Sequence, residues 1–270
     1  MLPVVVAKAD SYLEGPVFGR DGNLYVSSLT AVLKIRDGRV ETWLGDAKAG
    51  YNGHKVLPNG EHLICEMNKR AVWRYSARGE SLGPAAAESE GHVLRAPNDI
   101  TLDGHGGYYF TDPGGSRVEP IGTVHYVASW RTITAAGGMR VPNGLVLSAD
   151  GRFLFVAETV PNRILRFPVL APGKLGPMEV FAELPGRPGH EAAPDGLAVG
   201  PGGALYVAQL GTASVHVLSQ SGKLLQTLET GLYDTSNLCF EGPRMRQLFV
   251  TGSVGHRRDS LGEVRRFDFR

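Results

Sequence analysis

The sequence predicts an all-β fold, a single six-bladed β-propeller of four-stranded antiparallel blades that occupies residues 1–270. Three observations lead to this prediction. Six similar segments recur along the chain, each holds two predicted β-hairpins, and turn-forming residues are frequent. The chain has 36 glycines and 17 prolines among 270 residues, about a fifth of its length, whereas average usage gives roughly 12%. Many short strands joined by tight turns are therefore expected.

Each repeat opens with a polar residue and a short alternating strand, and a turn follows that often holds Asp-Gly, Asn-Gly or Gly-Gly. The repeats begin at Glu14, Asn52, Asn98, Asn143, Asp195 and Asn237, with spacings of 38, 46, 45, 52 and 42 residues. Large β-forming residues come after the turn, in Leu24–Val26, Leu63–Cys65, Tyr108–Phe110, Phe153–Phe155, Leu205–Val207 and Leu248–Val250. These two strands form the first hairpin of each repeat.

A second hairpin follows the first one. In the first repeat, Val32–Ile35 turns at Asp37-Gly38 into Val40–Trp43. Two hairpins make four strands, and four-stranded units at a period of about 45 residues are typical of propeller blades. The alternative is a pair of separate β domains, which the absence of a polar linker between the repeats disfavours.

The two ends of the chain fit a closed ring. The last repeat finishes at Val264–Phe269, one strand short of four, and Val4–Ala7 precedes the first repeat without a hairpin partner. We expect this N-terminal strand to become the outer strand of the last blade, which would cover two exposed sheet edges.

Charge and composition exclude several classes of function. With 28 Lys and Arg against 27 Asp and Glu, the net charge is +1, which argues against nucleic acid and anionic membranes as partners. No apolar run approaches the roughly 20 residues of a membrane span, and the N-terminus does not resemble a signal peptide. Cys65 and Cys239 provide no disulfide framework. We expect a cytoplasmic protein that is a monomer or a small homo-oligomer and acts on a small molecule.

The first residue of every repeat carries a side-chain oxygen. Equivalent positions of six blades lie on one ring around the propeller axis, so the repeat predicts an axial ring of carboxylates and amides, formed by Glu14, Asn52, Asn98, Asn143, Asp195 and Asn237. Such oxygen ligands suit a hard divalent cation, Ca²⁺ first, with Mg²⁺, Mn²⁺ or Zn²⁺ as further possibilities. The alternative is that these residues only cap backbone turns at strand entry.

Four motifs in order along the chain resemble those of the gluconolactonase, senescence-marker-protein and luciferin-regenerating-enzyme family. They are Glu14-Gly-Pro, Pro-Asn-Asp-Ile ending at Ile100 with Phe110-Thr-Asp-Pro, Pro-Asn-Gly-Leu ending at Leu145, and Pro-Asp-Gly-Leu ending at Leu197. The resemblance implies a six-bladed propeller that holds one divalent cation and hydrolyses lactones.

By the same resemblance, three side chains bind the metal, namely Glu14, Asn143 and Asp195. Asn98 is implied as a fourth ligand or as a substrate contact. The chain departs from some members of the family, which place an arginine two residues before that asparagine to bind sugar hydroxyls. Here Ala96 takes that position and Arg95 precedes it.

The implied reaction is the hydrolysis of a cyclic ester, in which the cation polarises the carbonyl and a carboxylate activates water. We predict that Asp195 is this general base, and Asp99 is the second candidate for the role. The residues predicted to bind substrate are Asn52, His54, Asn98 and Asn237, together with loops near Tyr51 and Gly114-Gly115. His54 stands where other repeats have Ile or Leu, and a purely structural hydrogen-bonding role is its alternative. A long loop over residues 186–194 is a candidate lid.

Other functions are compatible with the same pattern. The metal site would also suit phosphotriester hydrolysis, or a lyase or isomerase reaction on a small carbonyl compound. A metal-free propeller that joins an amine to an aldehyde, similar to strictosidine synthase, is disfavoured by the full ring of ligands. A non-enzymatic binding platform is the remaining alternative, since a fold does not determine a function.

Overall fold

The computed structural model describes residues 2–256 and 260–269, and the regular structure of these residues is almost entirely β-strand. Pro201–Gly203 forms the one 3₁₀ turn among them. No helix within the described ranges combines the length and the apolar character needed to cross a bilayer. The all-β prediction is therefore confirmed.

The first three repeats form three separate four-stranded antiparallel sheets. The first sheet contains β2 (Glu14–Phe18), β3 (Leu24–Ser27), β4 (Ala31–Arg36) and β5 (Arg39–Gly45). The second contains β6 (Tyr51–Val56), β7 (His62–Glu66), β8 (Ala71–Tyr75) and β9 (Ser81–Ala86). After the small ribbon of β10 (Glu88–Ser89) and β11 (His92–Val93), the third contains β12 (Ile100–Leu102), β13 (Tyr108–Asp112), β14 (Gly122–Ala128) and β15 (Arg131–Met139).

The fourth repeat has five strands instead of the predicted four. They are β16 (Pro142–Leu147), β17 (Phe153–Glu158), β18 (Arg163–Ala171), β19 (Lys174–Leu175) and β20 (Glu179–Glu183). The nine-residue strand β18 is long enough to pair with β20 near its start and with β19 near its end.

The fifth and sixth repeats share one eight-stranded sheet, which also differs from the expected separate blades. Its strands are β21 (Ala193–Val199), β22 (Leu205–Leu210), β23 (Ser214–Leu218), β24 (Leu224–Glu229), β25 (Asp234–Phe240), β26 (Gln247–Ser253), β27 (Gly262–Asp268) and β1 (Val4–Ala9). The two halves are joined where Leu210, at the end of β22, pairs with Asp234, at the start of β25. The N-terminal strand β1 pairs antiparallel with β27, as expected for Val4–Ala7.

Apolar clusters fill the spaces between successive groups of strands. Between the second and third sheets, for example, Leu63 packs in one cluster with Ile100 and Phe110. A further cluster unites Leu24 of the first sheet with Val264 of β27. The first strands of the repeats lie side by side in order, and β25 of the last repeat lies beside β2 of the first. This arrangement brings the first residues of the repeats together.

Candidate active site

A pocket of about 200 Å³ opens where the first strands of the repeats begin. Five of the six predicted ring residues line it, namely Glu14, Asn52, Asn98, Asn143 and Asp195. The carboxyl groups of Glu14 and Asp195 are almost fully buried at its floor, where their residues are 4% and 3% exposed. Residues up to 181 positions apart in the sequence thus share one polar floor.

Irregular strand pairing occurs where the first strands carry the ring residues. The register shifts lie between Glu14 and Val17, Tyr51 and His54, Pro142 and Leu145, Pro194 and Leu197, and Thr235 and Asn237. A bulge disrupts the ladder locally and re-aims side chains, and bulges are common beside active sites. The strict alternation of a regular strand therefore does not apply at these positions.

Glycines after four of the ring residues allow the first strands to approach closely. A Cβ on Gly144 would overlap the carbonyl oxygen of Asp195, and one on Gly53 would lie 2.5 Å from the Cα of Asp99. Gly15 and Gly196 meet Asn52 and Asn237 in the same way. The Asn-Gly and Asp-Gly pairs of the sequence thus serve packing between neighbouring repeats, since only glycine leaves this space free.

Buried hydroxyl groups in two second strands, and directly after a third, bond to backbone carbonyls at or beside the next ring position. Ser27 Oγ donates to the Asn52 carbonyl at 2.6 Å, and Thr111 Oγ1 donates to the Asn143 carbonyl at 2.7 Å. Thr159 Oγ1 donates to the carbonyl of Pro194, beside Asp195, at 2.8 Å. These bonds satisfy backbone carbonyls that the bulges free from the ladder, and they hold the floor in place.

One tyrosine hydroxyl links the two carboxyl groups. Tyr12 Oη lies 3.1 Å from Glu14 Oε1 and 3.3 Å from Asp195 Oδ2, and it donates to these oxygens. Burial, and then the nearby charge of Glu14, raise the pKa of Asp195 well above its usual range. Burial also raises the pKa of Glu14, against the opposing hydrogen bond from the Gly15 N–H. Two buried carboxyl groups therefore disfavour each other's ionisation.

The donor set of the floor fits a hard divalent cation. Two carboxylates would balance its charge, and the amides of Asn98 and Asn143 add neutral oxygen donors. The Asn143 nitrogen is directed to Thr159 Oγ1 at 3.4 Å, which leaves the amide oxygen available as a ligand. The structure shows no cluster of three or more His, Cys, Asp or Glu with metal-binding geometry in the ranges it describes. A site here would depend on the two amides as well as on the two acids.

Asn237 and Asp99 lie behind the floor and do not line the pocket. Asn237 Nδ2 donates to Glu14 Oε2 at 3.0 Å, and its Oδ1 accepts from the Leu238 N–H at 2.8 Å. Asn237 therefore positions Glu14. Asp99 Oδ1 accepts from the Ile100 N–H at 2.8 Å, and burial raises the pKa of this carboxyl.

His54 is also placed away from the pocket. Its ring is fully buried in the wall between the first and second sheets, beside Trp43 and Tyr25. Its Nε2 lies 2.8 Å from His62 Nδ1, and burial lowers the pKa of both rings. The bulge at the start of β6 turns the side chains of Asn52 and His54 in different directions, so Asn52 lines the pocket and His54 does not.

Several residues of the pocket were not anticipated from the sequence. Tyr12 and Arg117 lie outside the repeated segments, so the alignment of repeats contains no signal for them. Apolar side chains complete the wall, namely Leu29, Met67, Val141 and Leu210. Leu29 and Val141 have positive φ angles of 58° and 56°. This backbone conformation is uncommon for residues other than glycine, is most strained for the β-branched Val141, and concentrates at functional sites.

The chain is similar to known lactonases and to proteins of the same fold. Residues 14–254 match the SMP-30/Gluconolactonase/LRE-like region. Lactonase drp35 of Staphylococcus haemolyticus is 29% identical over 222 residues, which cover 78% of this chain and 67% of that protein.

Solved structures extend the similarity to the whole fold. A gluconolactonase from Xanthomonas campestris is 27% identical, with a TM-score of 0.83 over 98% of this chain and 89% of its own. Regucalcin of Agrobacterium tumefaciens, a calcium-binding protein, shares the fold with a TM-score of 0.76 at 18% identity over 98% of this chain and 96% of its own. Because the matched region spans most of its length, the chain belongs to the SMP-30/gluconolactonase/LRE-like family.

Proposed function

We propose that this protein is a lactonase-type hydrolase that opens a small cyclic ester in the pocket around Glu14 and Asp195. The observation that carries the proposal is the convergence of two buried carboxyl groups with the amides of Asn98 and Asn143 in one pocket. The similarity to Lactonase drp35 and to a gluconolactonase structure supports this class of reaction.

We further propose that the six groups of strands form the blades of one closed propeller domain. The apolar cluster between β27 and the first sheet supports closure, as does the position of β25 beside β2. In a closed ring, the pocket is one end of the axial channel, and five of the six repeats contribute their first residue to its lining.

A divalent cation is part of the proposal, with Ca²⁺ first and Mg²⁺, Mn²⁺ or Zn²⁺ as alternatives. Glu14, Asn98, Asn143 and Asp195 would hold it. When bound, it would supply Lewis-acid polarisation of the lactone carbonyl. Tyr12 keeps the two carboxyl groups together through its shared hydroxyl, and Asn237 fixes the orientation of Glu14.

The chemical step assigned to the chain itself is proton transfer at Asp195. Its carboxylate takes a proton from water as the water oxygen adds to the acyl carbon. The bond between the acyl carbon and the ring oxygen then breaks, and the ring oxygen receives the proton that Asp195 took from water, which forms the hydroxyl group and regenerates the carboxylate. The product is an open hydroxy acid, which releases a proton near neutral pH.

Substrate contacts are proposed for Asn52 and Asn98, whose side chains line the pocket. The predicted substrate contacts at His54 and Asn237 are not kept, because these side chains lie behind the wall and the floor. The partner is a small molecule. The exclusion of nucleic acid and membranes as partners stays a proposal that rests on the charge balance, and a cytoplasmic location stays a proposal that rests on the low cysteine count.

The test measures lactone hydrolysis by titrating the released acid. Protein treated with a chelator is assayed alone and with added Ca²⁺, Mg²⁺, Mn²⁺ or Zn²⁺, using neutral and charged lactones. Asp195→Asn removes the proposed base, and Asp150→Asn, in an exposed turn, is the matched control.

We expect metal-dependent turnover in the wild type and in Asp150→Asn, and its loss in Asp195→Asn. Turnover that survives in Asp195→Asn would reject Asp195 as the base. If the wild type binds a cation without hydrolysing any lactone, the proposed reaction class is wrong. Phosphotriester hydrolysis and a lyase or isomerase reaction on a carbonyl compound then become the leading hypotheses.

A further inference from the structure

Arg117 reaches the pocket from an ordered turn between β13 and β14. Asp112 Oδ1 accepts the N–H of Gly114 at 3.1 Å, at the base of this turn. Ser116 Oγ accepts the N–H groups of Val118 and Glu119 at 3.3 and 2.9 Å. The side chain of Arg117 extends from this frame and lines the same pocket as Glu14 and Asp195. Its cationic group is thus presented at the mouth of the site.

A second loop provides the partner of Arg117. Its Nη2 contacts Glu191 Oε1 as an ion pair, and the two side chains are 51% and 62% exposed. Glu191 belongs to the segment between β20 and β21, where His190 Nδ1 also lies 2.9 Å from Tyr233 Oη. An exposed ion pair contributes little free energy, because water and salt screen it. Another anion can therefore replace the Glu191 carboxylate at low cost.

If a divalent cation occupies the floor, no acidic side chain among the described residues that line the pocket is left to balance the charge of Arg117. Among the described residues that line the pocket, Arg117 is the only one with a fixed positive charge, and Glu14 and Asp195 are the only acids. A divalent cation at the floor would balance the two acids. The remaining charge of the pocket wall is then that of Arg117, whose planar guanidinium suits the oxygens of a carboxylate or a phosphate.

Arg95 does not compete for this role. It lines a different cavity, together with Asp112, His125 and Thr134. Its guanidinium lies near Gly114, at the base of the turn that carries Arg117. The arginine found in the sequence beside Asn98 therefore points to another surface, and the arginine in the pocket comes from the following loop.

We infer that the lactone carries a second, anionic group, a carboxylate or a phosphate, and that Arg117 is the residue that recognises it. This inference rests on the proposed function, because it names the class of substrate for the same pocket. On binding, the anionic group takes the place of the Glu191 carboxylate on the guanidinium. A neutral lactone leaves the Arg117–Glu191 pair intact.

Matched pairs of lactones test this inference. The first pair is 5-oxotetrahydrofuran-2-carboxylate and its carboxamide, and the second is 5-hydroxymethyl-γ-butyrolactone phosphate and the unphosphorylated alcohol. We expect the wild type to favour the charged member of at least one pair by about 30-fold in kcat/KM. Which pair shows the preference distinguishes a carboxylate from a phosphate.

Three variants assign the preference to Arg117. Arg117→Gln is expected to lose it, with a fall in kcat/KM that is about 30-fold larger on the charged lactones than on their neutral partners, since the lost interaction is specific to the charge. Arg95→Gln, the matched control, is expected to keep it. Glu191→Gln removes the competing carboxylate and is expected to tighten binding of the anion by up to about fivefold. A preference that survives in Arg117→Gln, or equal losses on charged and neutral lactones, would overturn the inference.

Binding of the ring-opened products supplies a readout that does not require turnover. Calorimetry with 2-hydroxyglutarate and 4-hydroxybutyrate compares two acids that differ by one carboxylate. We expect Arg117→Gln to weaken only the first. If no lactone is hydrolysed but this Arg117-dependent difference is present, the proposed hydrolysis fails and the anion site stands. If lactones are hydrolysed and the difference is absent, the anion site fails alone.

Discussion

At the floor of the pocket, the carboxyl groups of Glu14 and Asp195 project from strands, whereas at its mouth Arg117 and Glu191 project from loops. Glu14 and Asp195 are buried and are held by bulges, close glycine contacts and buried hydroxyl groups. The Arg117–Glu191 pair is more than half exposed. The longest spacing between repeats, 52 residues, contains the loop that carries Glu191. The repeated strands therefore carry the proposed reacting groups, and two loops, one within the third repeat and one before the fifth, carry the groups proposed to select the substrate.

The largest expected effect concerns the two carboxyl groups of the floor. Glu14→Gln removes a ligand charge and is expected to weaken divalent-cation binding by more than about 100-fold, measured by calorimetry. In the presence of a chelator, the same variant is expected to be more stable than the wild type by about 1 kcal/mol, because the repulsion of Asp195 is removed.

The variant is thus expected to bind the cation more weakly and to be more stable in chelator. These two opposite changes distinguish a floor that binds a metal from one with a purely structural role. Glu41→Gln, on an exposed part of β5, is the control and is expected to change neither quantity. If Glu14→Gln melts at a lower temperature than the wild type in the presence of a chelator, and still binds the cation when the chelator is removed, the floor is not a metal site.

The second prediction compares a glycine of the floor with one of the mouth. Gly144→Ala places a methyl group on the Asp195 carbonyl and is expected to lower the free energy of unfolding by about 2–3 kcal/mol. Gly186→Ala, in the loop before Glu191, meets no atom within 4 Å and is expected to stay within about 0.5 kcal/mol. Chemical denaturation measures both. Equal losses would show that the mouth is packed as tightly as the floor.

The repeat explains why much of the floor was predictable. Glu14, Asn52, Asn98, Asn143 and Asp195 occupy equivalent positions, and equivalent positions of adjacent first strands must converge. The predicted pairing of the N-terminal strand with the last repeat follows from strand counting alone.

Local backbone geometry explains what the repeat did not reveal. Simple alternation would place Asn52 and His54 on the same face, but the bulge between Tyr51 and His54 breaks this relation. Asn237 occupies a ring position and yet turns its amide to Glu14. Tyr12 and Arg117 lie outside the segments that align between repeats, so only the folded chain brings them to the pocket.

The third prediction concerns acid stability of the wall beside the floor. Burial lowers the pKa of His62 to about 4, with Asp21 opposing this shift and Lys34 adding to it. An unfolded histidine titrates near 6.5, so the unfolded chain takes up the proton first. Stability is therefore full above about pH 6.5 and is lost as the pH falls toward 4.

The variant His62→Asn keeps a hydrogen-bonding group near His54 Nε2 and removes the titration. We expect its loss of stability between pH 6.5 and 4 to be smaller than that of the wild type by about 2 kcal/mol. His92→Asn, at an exposed position, is the control and is expected to follow the wild type. If His62→Asn loses as much stability as the wild type between pH 6.5 and 4, His62 is not the group that takes up the proton.

The smallest expected effect is at the mouth, where Arg117 and Glu191 form their exposed pair. A double-mutant cycle of Arg117→Gln and Glu191→Gln is expected to give a coupling energy of no more than about 0.5 kcal/mol in thermal unfolding, because exposed pairs are screened. The coupling is expected to vanish at high salt. A coupling above about 2 kcal/mol would mean that the pair locks the two loops together, and an incoming anion would then have to break a stable contact. Because the coupling energy is small, Arg117 can exchange Glu191 for an anionic group of the substrate. The same small coupling energy means that the pair contributes little to folding stability.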